Sequence, residues 1–335
     1  MAPETRDAGR VLRKTRALVD EQLRLAAKKL PTLAQEMTSY HFGWEDAVPR
    51  PGKAFRPALA LLCAEAAGGD ARAALPAAVA VELVHNSSLL YDDVLDDDPL
   101  RRHRPAVWKV FGPKAAIVTG GLFLTLAFDV LATAAPGADD SPGILSGAVL
   151  HLGAGQLMDV DAERHSETDM RACLAMSQAK TGALIGCACA LGAARGGATA
   201  QQIGDFREFG EHLGLAFQLV DDMAGIWGDP AQSGKQARSD LRNRKKSPPV
   251  VAALTSRTSA GRELAALYEQ SEPLTDSDLD RAAHLIDAAG GRGAAREVFD
   301  ESLARALRHL DAAHPAPRPR AELRSLAFFL TRITD

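Results

Sequence analysis

Apolar residues recur at three- and four-residue spacing through "LRLAAKKLPTLAQEM", "RPALALLCAEAA", "VAVELVHNSSLLYDD" and "IGDFREFGEHLGLAFQLVDD". That is the period of a helix with one buried face. No stretch alternates β-branched and polar residues in the way a half-buried strand does. Glycine- and proline-rich turn signals separate the periodic segments: "PRPGK" at 49–53, "GGD" at 68–70, "PGADDSPG" at 136–143, "GG" at 196–197 and "GDPAQSG" at 228–234. Thr199 and Thr275 stand where N-caps belong, ahead of "AQQIGDF" and "DSDLDRAAHLI". The pattern predicts an all-α chain of ten or more helices joined by short links. No composition shift, linker or fixed repeat divides it. A single domain over residues 1–335 is therefore expected, with residues 1–10 and "AAHPAPRPR" (312–320) loose.

The segment "AAIVTGGLFLTLAFDVLATAA", residues 115–135, is long enough for a membrane span. It carries Asp129 near its end and two glycines in its middle, so it reads as a helix buried in a large helical domain, not as a transmembrane segment. The N-terminal "MAPETRDAGRVLRK" is charged from the start and has no apolar signal core. Cys63, Cys173, Cys187 and Cys189 lie in apolar stretches without a CxxC spacing, as buried thiols of a reducing compartment would. A cytoplasmic protein is expected. Its formal net charge of -4 gives no basic face for nucleic acid.

Charge is concentrated in "LLYDDVLDDDPLRRHRP", residues 89–105. On a helix His85, Asp92 and Asp96 share a side. Like charges at i, i+4 cost a few tenths of a kcal/mol, and a helix C-terminus disfavours negative charge further. Divalent cations reverse that sign, because Mg²⁺ prefers carboxylates, waters and phosphate oxygens. Taken alone, the run still reads as a solvated helix end. A second pair, Asp221 and Asp222 in "FQLVDDMAGIWGDP", ends another long apolar helix. Two helices delivering adjacent aspartates make a plausible metal site in a helical bundle.

Basic residues accompany both clusters. Arg101 and Arg102 follow the first, "GKAFRP" supplies Lys53 and Arg56, "AKTGALIG" supplies Lys180 and Thr181, and "SGKQARSDLRNRKKS" supplies Lys235, Lys245 and Lys246. None forms a Walker loop. Guanidinium forks beside carboxylates suit a phosphate-bearing substrate bridged to the protein by metal.

The order of these motifs resembles the trans-isoprenyl diphosphate synthases, or polyprenyl synthetases, over roughly residues 45–255. Asp92-Asp93-Val-Leu-Asp96 followed by Arg101-Arg102 is similar to that family's first aspartate-rich motif, and His85 stands seven residues before it. "GKAFRP", "GQLMD" at 155–159, Lys180-Thr181, "FQLVDD" and "GK…DL…KK" follow in the family's order. The resemblance implies long helices around a deep cavity, a homodimer, and three Mg²⁺ ions bound with substrate. It implies Asp92 and Asp96 as ligands of the metal bridging the allylic diphosphate, and Asp221, with Asp222 beside it, as a further metal site on the opposite wall. Arg101, Lys180 and Lys235 would grip the allylic diphosphate, with Lys245 also in the substrate-binding set. Lys53, Arg56, His85 and Arg102 would hold isopentenyl diphosphate. Thr181 and Gln218 would border the reacting carbons.

Three positions leave the family pattern: Gly225 replaces the last aspartate of the second motif, Ala54 an arginine, and Gly121 an aspartate. Weaker or rearranged binding of the third metal is expected at Gly225, with Asp229 as a nearby carboxylate. The departures leave a terpene cyclase or a non-catalytic partner subunit as alternatives. The second substrate set argues against the first, and the intact first motif against the other. Ser87 and Ser88 lie five and four residues before Asp92, where bulky aromatics form a floor in farnesyl-making members. Two serines predict a longer product, geranylgeranyl diphosphate, with farnesyl or longer chains as alternatives.

Overall fold

The computed structural model describes residues 3–46, 52–134, 140–164, 169–228 and 238–332. They are almost wholly helical, as the periodicity predicts. In chain order the helices are α1 (Pro3–Ala27), α2 (Thr32–Phe42), α3 (Phe55–Ala66), α4 (Leu75–Leu95), α5 (Val107–Phe111), α6 (Pro113–Ala134), α7 (Ser141–Arg164), α8 (Met170–Ser177), α9 (Ala183–Arg195) and α10 (Ala200–Trp227). Then come α11 (Ser239–Arg242), α12 (Pro248–Thr255), α13 (Ser259–Tyr268), α14 (Asp276–Ala288), α15 (Gly291–Ala312) and α16 (Pro317–Leu330). A π-helical turn, Gln178–Gly182, joins α8 to α9.

Two compact units are distinguishable: one of residues 1–149, 187–207 and 310–326, the other of residues 150–186, 208–309 and 327–335. In the first, α3 is buried on every side, with Ala58, Leu59, Ala60 and Cys63 at 0% exposure. Helix α9 reaches it because Gly192 carries no side chain: a Cβ there would lie 2.8 Å from Ala60 Cα. Helices α4 and α6 lie against each other, with Leu83, Leu90, Phe123 and Leu131 inside. Burying each such side chain stabilises by about 1.5–3 kcal/mol before entropy is counted. The second unit has its own core of Ile226, Leu241, Val250, Leu264, Leu279 and Ile286.

Both predicted caps are present. Gln202 N–H donates to Thr199 Oγ1 while Thr199 N–H donates to Gln202 Oε1, and Thr275 forms a capping box with Asp278. Two expectations of looseness are corrected. Residues 3–10 open helix α1, with Ala8 buried. At 312–320 the chain is ordered: Ala316 N–H donates to Ala66 O at 2.9 Å, Arg318 pairs with Glu65 at 3.0 Å, and α16 starts at Pro317. Proline at the first helical position gives up an N–H that has no partner there in any helix.

Among the described residues, three stretches are long and apolar enough to cross a membrane by length and composition: Ala71–Leu95, Pro113–Ala134 and Met170–Arg195. Asp129, the charge in the predicted buried segment, pairs with Lys29 at 2.5 Å.

Candidate active site

In the first unit, α4 delivers the acidic motif at its C-terminal end. Asp92 is half-buried on the last turn, Asp96 caps the helix and is exposed, and both point oxygen donors from one face. Asp97 and Asp98 are exposed beyond the cap. Asp93 turns inward: it is 1% exposed and accepts from Arg101 Nε at 2.7 Å and from Arg101 Nη2. Burial pushes the Asp93 carboxyl above the usual carboxylate range, against the pull of Arg101. Arg101 is thus fixed by two N–H groups that converge on the one oxygen, Asp93 Oδ1, in charge-assisted hydrogen bonds, while Asp93 Oδ2 is buried without a hydrogen-bond partner.

Arg101 and Arg102 sit on a small element that the hydrophobic pattern does not signal. Leu100–Arg101 pairs antiparallel with Arg104–Pro105, leaving a two-residue turn at Arg102 and His103. Both have positive φ, 54° and 65°, which is the type I′ hairpin turn normally built from Asn-Gly. Left-handed backbone at two such residues costs roughly 1–2 kcal/mol each. The turn holds the Arg102 guanidinium against His41 O and Asn86 Oδ1, both at 3.3 Å.

Of the other expected second-substrate residues, His85 lies close enough to feel the charges of both Arg102 and Arg56. Arg56 opens α3, is 8% exposed, and its Nε has no hydrogen-bond partner. Burial lowers its pKa to about 10, with Glu82 opposing. Burial also pushes the His85 imidazole well down, helped by Arg56 and Arg102, so it is neutral at neutral pH. Lys53 is exposed just ahead of α3, and Ala54 between them takes φ +53° at the helix N-cap.

Ser87 and Ser88 differ in setting. Ser87 is 1% exposed and donates to Gly120 O on α6 at 2.8 Å. Gly120 itself makes room for the Tyr91 ring, which a Cβ would meet at 2.8 Å. Ser88 is half-buried on the Asp92 side of α4 and turns its hydroxyl back to His85 O.

In the second unit, the π-turn carries Lys180 and Thr181. A π-turn re-aims side chains in mid-helix and is frequent at functional positions. Lys180 Nζ pairs with Asp159 of "GQLMD" at 2.6 Å. Thr181 Oγ1 donates to Gln218 Oε1 at 2.7 Å, so the two residues expected at the reacting carbons are adjacent. Glycines bring the backbones close. A Cβ on Gly155 would lie 2.9 Å from Lys180 Cα, and one on Gly214 would lie 2.6 Å from Gly182 Cα.

Asp221 is half-buried near the end of α10, while Asp222 is 1% exposed. Asp222 Oδ1 accepts from Gln218 Nε2 at 3.0 Å and from Lys245 Nζ at 2.9 Å. Asp222 above all raises the Lys245 pKa, so the ammonium stays charged, while burial pushes the Asp222 carboxyl up. Lys245, expected on substrate, therefore holds Asp222, and Asp222, expected on metal, already carries a cation of the protein.

Sequence reasoning missed Asp240. Its carboxylate lies over Gly225: a Cβ there would meet Asp240 Oδ1 at 2.7 Å, and Cγ and Oδ2 closer still. Asp240 Oδ2 is also 3.7 Å from Lys245 Nζ. The signal available in the sequence was Gly225 itself, a missing carboxylate with "SDL" downstream. Lys235 and Asp229 lie outside the described residues.

The polyprenyl synthetase family profile matches residues 43–286. The chain belongs to the polyprenyl synthetase family. It is accordingly a prenyltransferase, an enzyme that makes isoprenyl diphosphates. Two relatives from Mycobacterium tuberculosis bracket the product question. The chain is 39% identical to a (2E,6E)-farnesyl diphosphate synthase, covering 98% of this chain and 96% of that enzyme. It is 41% identical to a geranylgeranyl diphosphate synthase, covering 92% and 90%. The fold matches the crystal structure of a polyprenyl synthetase from Streptomyces coelicolor A3(2), with a TM-score of 0.91, 41% identity, and 96% and 99% of the two chains covered. A polyprenyl synthase from Caulobacter crescentus solved with calcium and isoprenyl diphosphate matches with a TM-score of 0.86, 26% identity and 98% of each chain. Divalent metal is used by this family.

Proposed function

We propose that the enzyme condenses isopentenyl diphosphate with an allylic diphosphate and releases geranylgeranyl diphosphate, residues 1–335 acting as one catalytic domain. The observation that carries the product length is Ser88. It leaves α4 without a bulky side chain one turn before Asp92, on the half-open side of the helix. One turn earlier Val84 is 1% exposed, so that level is closed, which favours twenty carbons over much longer chains.

Asp92, Asp96 and Asp221 fit magnesium, being accessible carboxylates of the hard-oxygen kind that Mg²⁺ prefers. Asp222 does not, since Lys245 and Gln218 occupy its one hydrogen-bonded oxygen and it is sealed from solvent. Three ions, two at Asp92 and Asp96 and one at Asp221, would offset the charge gathering on the departing diphosphate.

The chain's own residues do the remainder. Arg101, braced by Asp93, and Lys180, braced by Asp159, hold the allylic diphosphate and stabilise it as the C–O bond ionises. Thr181 and Gln218, aligned by their hydrogen bond, turn oxygen dipoles towards the allylic cation. Arg56, Lys53, His85 and Arg102 bind isopentenyl diphosphate so that its double bond meets that cation. Arg56 is suited to this because a buried guanidinium with an unpartnered Nε favours an anion. The proton released when the new double bond forms passes to the departing diphosphate.

The protein acts in the cytoplasm, a reading supported by four buried free thiols. A homodimer is supported by Ile117 and Val118 on α6 and by Leu150 and Leu157 on α7, all large apolar side chains left exposed. Incubation with isopentenyl diphosphate, each allylic primer and Mg²⁺, with products sized after dephosphorylation, tests the reading. A twenty-carbon product supports it. A fifteen-carbon product refutes the Ser88 argument, and turnover of a primer without isopentenyl diphosphate refutes the condensation.

A further inference from the structure

Behind the proposed isopentenyl diphosphate residues lies a buried polar chain to which no role is yet attached. It begins at Glu82 on α4, 8% exposed, passes to Asn86 one turn later, 0% exposed, and ends at His41 on α2, 5% exposed. Two hydrogen bonds determine how Asn86 is turned. Its Nδ2 donates to Glu82 O at 2.8 Å and to Glu82 Oε1 at 3.1 Å. Both amide hydrogens are thereby used on Glu82, and Oδ1 must face the other way. There it lies 2.9 Å from His41 Nε2 and 3.3 Å from Arg102 Nη2. His41 Nε2 can only donate to that oxygen. The ring is therefore the neutral Nε2–H tautomer, in keeping with a pKa lowered to about 3 by burial and then by Arg102. Arg102 is caught twice, at Asn86 Oδ1 and, through Nη1, at the carbonyl of His41 itself.

This arrangement suits a positioning device. The guanidinium sits on a strained two-residue turn that would otherwise let a long side chain wander. Two neutral acceptors fix its direction without cancelling its charge, whereas a carboxylate partner such as the Asp93 of Arg101 would have done so. The remaining N–H groups of the fork are left for a ligand. Gly52 brings backbone beside the same nitrogen: a Cβ there would be 3.2 Å from Arg102 Nη2.

We propose that Asn86, oriented by Glu82 and neutral His41, is a positioning residue that aims Arg102 at the diphosphate of isopentenyl diphosphate. The inference rests on the second-substrate reading above. Its test is steady-state kinetics of Asn86→Leu, which keeps the volume and removes every hydrogen bond, beside Arg102→Lys. Asn86→Leu raises KM for isopentenyl diphosphate about tenfold, the scale of one hydrogen bond to a charged group. KM for the allylic substrate and kcat at saturation of both stay within about twofold.

His41→Phe keeps the ring among Phe42 and Phe123 and removes only the donor. It moves the same KM by roughly threefold, a smaller step because the Asn86 acceptor survives. Equal changes in both KM values and kcat would mean that the chain is merely structural, and failure of both variants to fold would mean the same. An Arg102→Lys enzyme with unchanged KM for isopentenyl diphosphate would instead remove the second-substrate site on which the inference rests. A tenfold effect of Arg102→Lys with none from Asn86→Leu overturns the positioning role alone.

Discussion

Replacing Gly225 by alanine places a methyl group where Asp240 now lies, and the sign of its effect depends on that carboxylate. The Cβ would stand 2.7 Å from Asp240 Oδ1, against an ordinary contact of about 3.4–4 Å, so the carboxylate must withdraw by roughly 1 Å. It cannot do so freely. Its Oδ2 is 3.7 Å from Lys245 Nζ, and Ser239 Oγ donates to its Oδ1 at 3.2 Å. At an effective dielectric of about 20, a unit pair at that separation is worth about 4.5 kcal/mol, and a further 1 Å removes about 1 kcal/mol. Overpacking adds about 1 kcal/mol. Against these, alanine in the interior of a helix gains about 1 kcal/mol over glycine. Gly225→Ala should therefore destabilise the protein by about 1 kcal/mol in the native background. In an Asp240→Ala background, where nothing has to move, the same change should stabilise by about 1 kcal/mol. A double-mutant cycle by chemical denaturation reads this as a coupling of about 2 kcal/mol. Gly225→Ala stabilising equally in both backgrounds would show that the carboxylate is not held over residue 225.

Three further outcomes are expected. His41 has its pKa lowered from 6.5 to about 3, so on acidification the unfolded chain takes up the proton first. Its stabilisation is complete above pH 6.5 and is lost as pH falls towards 3. Relative to His41→Gln, the wild type should lose about 2 kcal/mol between pH 6.5 and 5 in denaturation series, an isolated difference that cancels the opposing titration of Glu82. Ser88→Phe should shorten the product, whereas Ser87→Phe should lower the melting temperature, because Ser87 lies in the contact with α6; product sizing and melting curves separate the two. His103→Gly should stabilise by about 1 kcal/mol in the same denaturation assay, since glycine adopts φ +65° without strain.

The helices and the acidic motifs were legible because they are repetitive signals. The apolar period runs through every long helix, and Asp92, Asp96 and Asp221 are spaced by the helix that carries them. The neighbourhood of Thr181 and Gln218 came from the family resemblance and not from spacing, since Thr181 lies in the π-turn ahead of α9 and Gln218 inside α10. What the sequence hid are features made by single residues in unusual roles. The hairpin at 100–105 has neither asparagine nor glycine at its turn, so strain replaces the usual marker. The start of α16 is punctuated by prolines, which read as looseness until Ala316 is tied to Ala66. Lys245 belongs to a run of basic residues with no local sign that one would be drawn to Asp222. Asp240 was overlooked for a similar reason, as an acid embedded in base.

The close approach at Gly155 and Gly214 has a consequence for how the enzyme can be altered. At both positions the neighbouring backbone leaves no room for even a methyl group, and backbone, unlike a side chain, cannot step aside. A library that varies every position should therefore find both closed to any substitution, while Ser88 stays permissive. On the product-length reading proposed above, product range should be adjustable by sequence change, and the mount of Lys180 and Thr181 should not.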